Sequence, residues 1–249
     1  MADLPAYCFY RVFEPAPLKA FEIDRHYLLY SAKGTVRLET EERSWMLPPT
    51  RAAWIAANVP IKIEIKKPVT CCSILFDIDF VKTPEPHCNV FEMTPLAREM
   101  VLACREWGPE VEQFDEYAAQ LFKTVAMVCT KLSDTPCETW VPLGDSKQLK
   151  AALTTTQNRL ADYVMFAEIA QAANLSERSL ARRFAEETGM TWRQMQRRMR
   201  MIRAMELLAE DSQQVTNVAL DVGYNSLSAF NAAFREFTGQ SPSEYRKQA

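Results

Sequence analysis

Histidine is almost missing from this chain: His26 and His87 are the only two in 249 residues. A three-histidine metal site is therefore arithmetically impossible within one chain. A weak site built on His26 with either His87 or a cysteine is the lesser alternative to two ordinary polar histidines. No stretch approaches the roughly 18 consecutive apolar residues of a membrane span, so no membrane-embedded segment is expected. The opening MADLPAYCFYRVFEPAP has no basic segment followed by an apolar run, so the chain is read as lacking a signal peptide and as cytoplasmic. Seven cysteines occur at irregular spacing without a CxxC pair. An odd, irregular set is not a disulfide framework, and reduced structural thiols are the expectation. A hydrophobic share of 48% and a charged share of 24% are globular values, and the length suits two domains.

The net charge of −3 conceals an asymmetry. Residues 150–249 carry 13 Lys and Arg against 11 Asp and Glu, whereas residues 1–149 carry 16 against 21. Within 178–203 there are eight Arg and two Glu. That local excess is the footprint of phosphate contact. A solvated helix face is the alternative, but it does not explain why every cation is Arg, the side chain suited to bidentate bonds with phosphate and guanine.

The same region repeats itself. Ser176 to Gly189 reads SERSLARRFAEETG, and 50 positions later Ser226 to Gly239 reads SLSAFNAAFREFTG. Ser176 and Ser226 suit helix N-caps, and Gly189 and Gly239 suit the left-handed residue that closes a helix. Leu180 with Phe184, and Phe230 with Phe234, are four apart and share a buried face. Each copy follows a short apolar segment, 166–175 or 215–225, whose alanines permit close crossing. This is a helix-turn-helix pattern, present twice. The outward faces of the second helices show Arg178, Ala181 and Arg182 in one copy, and Leu227, Ser228, Asn231, Ala232 and Arg235 in the other. Between the copies, 191–212 is an amphipathic helix with Trp192, Met195, Met199, Ile202, Leu207 and Leu208 on one face.

On these motifs, and on the closing Gly223-Tyr224, Gly239, Ser241-Pro242 and Tyr245-Arg246, the second half resembles the DNA-binding domain of AraC/XylS-type transcriptional regulators. The resemblance implies two recognition helices on a rigid strut, entering successive major grooves about 34 Å apart. Base readout then falls to Arg178 and Arg182, with Ser228 and Asn231 in the second copy. Arg193, Arg197 and Arg235 are assigned to phosphate. One departure stands out: many members carry Arg where this chain has Ala232, so the second copy is expected to hold DNA more loosely or to read other bases.

Residues 7–80 read as short strands with turns at Gly34 and Pro48-Pro49. Trp45 to Ile55, with Leu28-Leu29-Tyr30 and Val59-Pro60, resembles the cupin-like sensor domain that precedes many AraC-type DNA-binding domains. The expected class is α+β: a cupin-like β-barrel with two following helices, 94–108 and 111–133, then an all-α domain with two helix-turn-helix units. Expected boundaries are 1–133 for sensing and dimerisation, 134–146 for a linker, and 147–249 for DNA binding. Candidates for a small-molecule site are Arg25, His26, Tyr27, Trp45, Trp54 and Cys71. The resemblance implies a regulator, activating by the family's prior, with promoter DNA, a small-molecule effector and RNA polymerase as partners. It also implies a homodimer, through the helix whose apolar stripe is Phe114, Ala118, Leu121, Phe122, Val125, Val128 and Leu132; packing of that stripe against the barrel is the alternative reading, and both can hold at once. It calls for no cofactor. The alternatives are a regulator whose barrel is vestigial and, on histidine count poorly supported, a metal-dependent cupin enzyme.

Overall fold

The computed structural model describes residues 4–137, 139–210 and 213–248. Glu138 of the expected linker, Asp211 and Ser212 of the expected 191–212 helix, and Ala249 lie outside the described residues. The chain divides into two compact units, Met1–Thr40 with Trp45–Glu138, and Thr139–Ala249 with Glu41–Ser44.

The first unit is mainly β. Its strands are β1 (Ala6–Phe13), β2 (Ala16–Phe21), β3 (His26–Lys33), β4 (Val36–Glu39), β5 (Arg43–Leu47), β6 (Arg51–Ile55), β7 (Ile61–Ile65), β8 (Val69–Phe76) and β9 (Cys88–Glu92). One sheet orders them β1-β8-β3-β6-β9, and the other contains β5-β4-β7-β2. Two of these strands have no counterpart in the sequence pattern. In β2 every residue is exposed, so no apolar alternation marks it, and Pro17 restricts it to the sheet edge it occupies. In β9, Asn89 breaks the apolar run because it is buried for another reason: its amide donates to the Ser133 carbonyl at 2.6 Å.

Two helices follow, α1 (Pro95–Ala103) and α2 (Glu116–Ser133). Both are shorter than their periodicity suggests. The first tightens into a 3-10 turn over Cys104–Glu106. The second starts only at Glu116 because the Asp115 carboxylate accepts the Ala118 N–H at 2.8 Å and caps it there. Strand parity separates two layers. Leu28, Tyr30, Ala52, Trp54, Cys72, Ile74 and Phe76 form one buried cluster with Phe122, Val125 and Cys129 of α2. Edge-to-face pairs Trp54–Phe76 and Phe76–Phe122, with centroids 5.2 and 6.1 Å apart, run through it. Leu29, Ala53, Ile55, Cys71 and Leu75 alternate with that set and are buried on the opposite face.

Sulfur is concentrated on the helix-facing side. The Cys8 and Cys72 sulfurs are 3.5 Å apart, and the Cys72 thiol also donates to the Val101 carbonyl. A hydrogen bond with Cys72 and burial push the Cys8 thiol up, and burial pushes Cys71 and Cys129 up to about 12. All seven cysteines are free thiols. Thiolate is the nucleophile, so these buried groups are inert. A thiol reagent at neutral pH is therefore expected to label native protein at the half-buried Cys88 and Cys137 and to reach the other five only in denaturant. Rapid labelling of Cys72 in native protein contradicts this packing.

The second unit contains β10 (Trp140–Pro142), α3 (Lys147–Asn158), α4 (Phe166–Ala172), α5 (Glu177–Thr188), α6 (Trp192–Glu210), α7 (Val215–Asp221), α8 (Leu227–Thr238) and α9 (Pro242–Gln248). Residues 41–44 join it: the Leu143 N–H donates to the Glu42 carbonyl, and the Arg43 guanidinium lies 4.5 Å over the Trp140 ring. The 3.6-residue period of α6 divides it between two cores. Trp192, Met195 and Met199 pack with α3, α4 and α5, including Leu149, Ile169, Leu180 and Phe184. Met201, Ala204, Met205 and Leu208 pack with α7, α8 and α9, including Val218, Phe230, Phe234 and Tyr245.

One carboxylate fastens the first of these cores. Glu187 of α5 accepts from the Ser146 hydroxyl at 2.7 Å, from the N–H groups of Asp145 and Ser146, and from Arg183. Burial works against its charge, but these donors prevail and hold its carboxyl below the usual value. A lowered folded value means that the stabilisation is present above the unfolded carboxylate pKa and is lost as pH falls through the folded one. Glu187→Gln is expected to cost about 1–3 kcal/mol at neutral pH, on the scale of hydrogen bonds to a charged group. Denaturation curves of both forms should converge as pH drops below about 4. A gap of constant size from neutral pH down through the acid range contradicts the assignment.

Candidate nucleic-acid interface

The two copies of the sequence repeat have the same local structure. In α5 and α8 the N-cap hydroxyls of Ser176 and Ser226 accept the N–H groups of Ser179 and Ala229 at 3.2 and 3.3 Å. Both helices have 12 residues and end on a glycine with positive φ, Gly189 at 67° and Gly239 at 77°. An L side chain is strained there, which is why both copies end on Gly. In each, the last threonine bonds back to the buried phenylalanine's carbonyl, Thr188 to Phe184 and Thr238 to Phe234. The preceding helices α4 and α7 have seven residues each. They stop earlier than the apolar segments suggest, because Asn174 and Gly223 turn to positive φ at 55° and 79°. The second turn, 222–226, is one residue longer than the first, 173–176.

This geometry buries one face of each second helix and frees the other. Leu180 and Phe184 are fully buried, as are Phe230 and Phe234. All nine residues expected at DNA are exposed: Arg178, Ala181, Arg182, Arg193, Arg197, Leu227, Ser228, Asn231 and Arg235. Ala232 is exposed beside Asn231, so α8 offers little cationic surface at its centre.

Not all the arginines are equally available. Arg178 and Arg193 have no ion pair among the described residues. Arg182 is 3.8 Å from Glu186, with side chains 73% and 64% exposed. So exposed a pair contributes little and is readily exchanged for phosphate or a base edge. Arg197 is engaged by Glu236 of α8 at 2.5 Å, which holds the Glu236 carboxyl below its usual value. Further along α6, Arg198 donates to the Trp140 carbonyl and lies over the Trp140 and Phe237 rings. Arg200 donates to the Leu160 and Asp162 carbonyls, and Arg203 pairs with Glu206. The composition shows eight arginines in this stretch, but several are fastenings within the unit. Sequence reasoning had no sign of these roles, because their partners are backbone carbonyls and residues up to 58 positions away.

The small-molecule candidates of the first unit do not share one surface. His26 and Trp54 lie on the helix-facing side of the first sheet, 6.4 Å apart by ring centroid. His26 Nδ1 accepts the Ala57 N–H at 3.0 Å, and burial lowers its proton affinity. Its second nitrogen, Nε2, is buried without a partner among the described residues. Tyr27 and Cys71 are on the opposite face, where the Tyr27 hydroxyl donates to Ser73 Oγ at 3.3 Å. Trp45 is buried in β5. Arg25 is half-buried, donating to the Leu4 carbonyl at 2.7 Å with its guanidinium over the Tyr7 ring. Parity along β3 and β6 decides these directions, and the sequence does not state which parity faces the helices. His87 is exposed, and its carbonyl accepts the Ala56 N–H at 2.7 Å, one residue before the Ala57 N–H that His26 accepts.

An AraC-type DNA-binding-domain regulator from Chromobacterium violaceum, of known structure, is 25% identical, with a TM-score of 0.40, covering 41% of this chain and 90% of its own. Among curated proteins, the HTH-type transcriptional regulator NimR of Escherichia coli is 24% identical over 88% of this chain and 78% of its own length. The HTH-type transcriptional activator RhaR of Pectobacterium carotovorum is 30% identical over 61% of this chain, which spans about half (53%) of that protein. Residues 169–248 match the family described as a helix-turn-helix domain. The matched segment holds both turn units and the helix between them. The second unit of this chain thus matches a helix-turn-helix domain family, and the chain is similar to proteins named as HTH-type transcriptional regulators and activators.

Proposed function

We propose that the protein is a sequence-specific regulator, and an activator, of promoters that it reads with α5 and α8 together. The observation that carries this reading is the pair of equivalently capped helices on one strut, each with a buried apolar face and an exposed polar one. Arg178 and Arg182 reach guanine edges from α5. Asn231 and Ser228 reach bases from α8, with Asn suited to adenine. Arg193 and Arg235 meet phosphate, and Arg197 does so when Glu236 yields it. Activation is supported by the activator names of relatives such as RhaR. It implies contact with RNA polymerase, in the cytoplasm.

In the same reading the first unit senses a small molecule on the sheet face that bears Tyr27, Cys71 and Ser73, with Arg25 at its rim. The expected stripe is taken up by the core, since Ala118, Phe122 and Val125 are buried, the last two with Trp54 and Phe76; the homodimer is therefore assigned to the exposed side of α1 and α2, where Leu96, Tyr117 and Met127 are 65–67% exposed. The effector acts by favouring one arrangement of the dimer, since only differential affinity shifts such an equilibrium.

Arg182→Ala is expected to cost about 1–3 kcal/mol of specific affinity, measured by fluorescence anisotropy on duplexes recovered from a randomised library, with unchanged melting temperature. Unchanged affinity removes Arg182 from readout. Raising salt from about 50 to about 200 mM should weaken binding steeply, with a slope near −0.9 per neutralised phosphate. A flat response contradicts the phosphate roles. For sensing, a saturating effector at about 100 times its dissociation constant stabilises by about 2.7 kcal/mol in a thermal-shift screen. If the hit stabilises a Tyr27→Phe, Cys71→Ser variant equally, its site is elsewhere.

A further inference from the structure

Arg200 stands at the division of α6 between its two cores. Met199, one residue before it, is buried in the first core, and Met201, one residue after it, in the second. Its guanidinium reaches across to the first turn unit: Nε donates to the Leu160 carbonyl at 3.0 Å, and the terminal nitrogen to the Asp162 carbonyl at 3.3 Å. These carbonyls belong to the segment that joins α3 to α4.

The other face of the same guanidinium is covered by the second unit. It lies 5.9 Å from the Tyr224 ring centroid. Gly223 is the residue in the turn between α7 and α8 that permits this approach. A Cβ at Gly223 would stand 2.6 Å from the Leu160 carbonyl oxygen and 2.7 Å from the Arg200 guanidinium. So Leu160 beside the first turn unit, Arg200 of the strut and Gly223 of the second turn unit, all within the second compact unit, meet at one point. No carboxylate pairs with Arg200 among the described residues. Its planar fork is used on backbone, a contact that the single-point ammonium of Lys cannot reproduce.

We propose that Arg200 is a positioning residue that fixes the register between the two recognition helices, and so the spacing of the two DNA subsites that one chain accepts. The strut alone leaves each turn unit free to rock about its own contacts with α6. The Leu160–Arg200–Gly223 junction ties the turn of the second unit to the inter-helix segment of the first. Rocking is then resisted by backbone contacts rather than by side chains that repack easily. This inference rests on the reading in which both α5 and α8 enter DNA.

The test uses full-length protein and duplexes recovered by wild type from a randomised library. Each is rebuilt with one base pair inserted between the two subsites, and also with one subsite scrambled. One inserted pair displaces the second subsite by about 3.4 Å and rotates it about the axis by about 34°. Wild type is expected to lose at least about tenfold in affinity on insertion. In Arg200→Met, which keeps the apolar stem, and in Gly223→Ala, that penalty is expected to fall below about threefold, and single-subsite affinity to stay within about twofold of wild type. Arg200→Lys should behave like Arg200→Met, since charge without the fork does not restore the junction. Variants that keep the tenfold penalty overturn the inference and leave the two-helix reading standing. Loss of single-subsite binding in both Arg200→Met and Gly223→Ala makes the junction a general stability element, and this also overturns it. Absence of an insertion penalty in wild type itself overturns the two-helix reading, and the inference with it.

Discussion

The second unit depends on one helix belonging to two hydrophobic cores. A turn unit of about 40 residues cannot bury enough apolar surface to stand alone. Here Met195 and Met199 complete the core around Leu180 and Phe184, while Met201, Met205 and Leu208 complete the one around Phe230 and Phe234. The helical period turns successive methionines toward opposite partners, so one 19-residue segment closes both cores. At 1.5 Å per residue α6 is about 28 Å long, close to one turn of B-form DNA. If α5 and α8 both read DNA as proposed, stability and recognition geometry have the same cause: the helix that completes the cores also separates the readers.

Charge follows the same logic. The arginine-rich stretch reads as a uniform basic face, yet its members divide by partner. Arg178, Arg182 and Arg193 are exposed and unengaged or weakly engaged, while Arg198 and Arg200 satisfy carbonyls within the unit. On the proposed reading, phosphate attraction then comes from α5 and the start of α6. The second reader, with Ala232 at its centre, depends more on being held in place. That asymmetry gives the junction at Gly223 its importance, since a weakly charged reader contributes to specificity only when its position is set for it.

The helix-turn-helix units were legible because their signals are local: a capping serine, apolar residues four apart and a closing glycine lie within 14 residues. Strands with alternating burial, such as β7 with Ile61 and Ile65 inward and Lys62 outward, were legible for the same reason. Edge strand β2 was not, because nothing in it is buried. The side to which His26, Tyr27, Trp54 and Cys71 point was also hidden. Alternation in a strand gives two faces, but only the packing of α2 identifies one of them as the helix side. The fastening arginines escaped because a bond to a distant carbonyl leaves no mark on residue type. Only Gly223 hinted at the junction, and as a turn residue it had a sufficient explanation already.

The most direct measurement is a hydroxyl-radical footprint of the purified chain on a recovered duplex, resolved to single nucleotides. Two readers on one strut predict two protected windows per chain on the same face of the duplex, with centres about 10 base pairs apart. A single window per chain, or two windows on opposite faces, contradicts the account that both turn units read DNA from one strut.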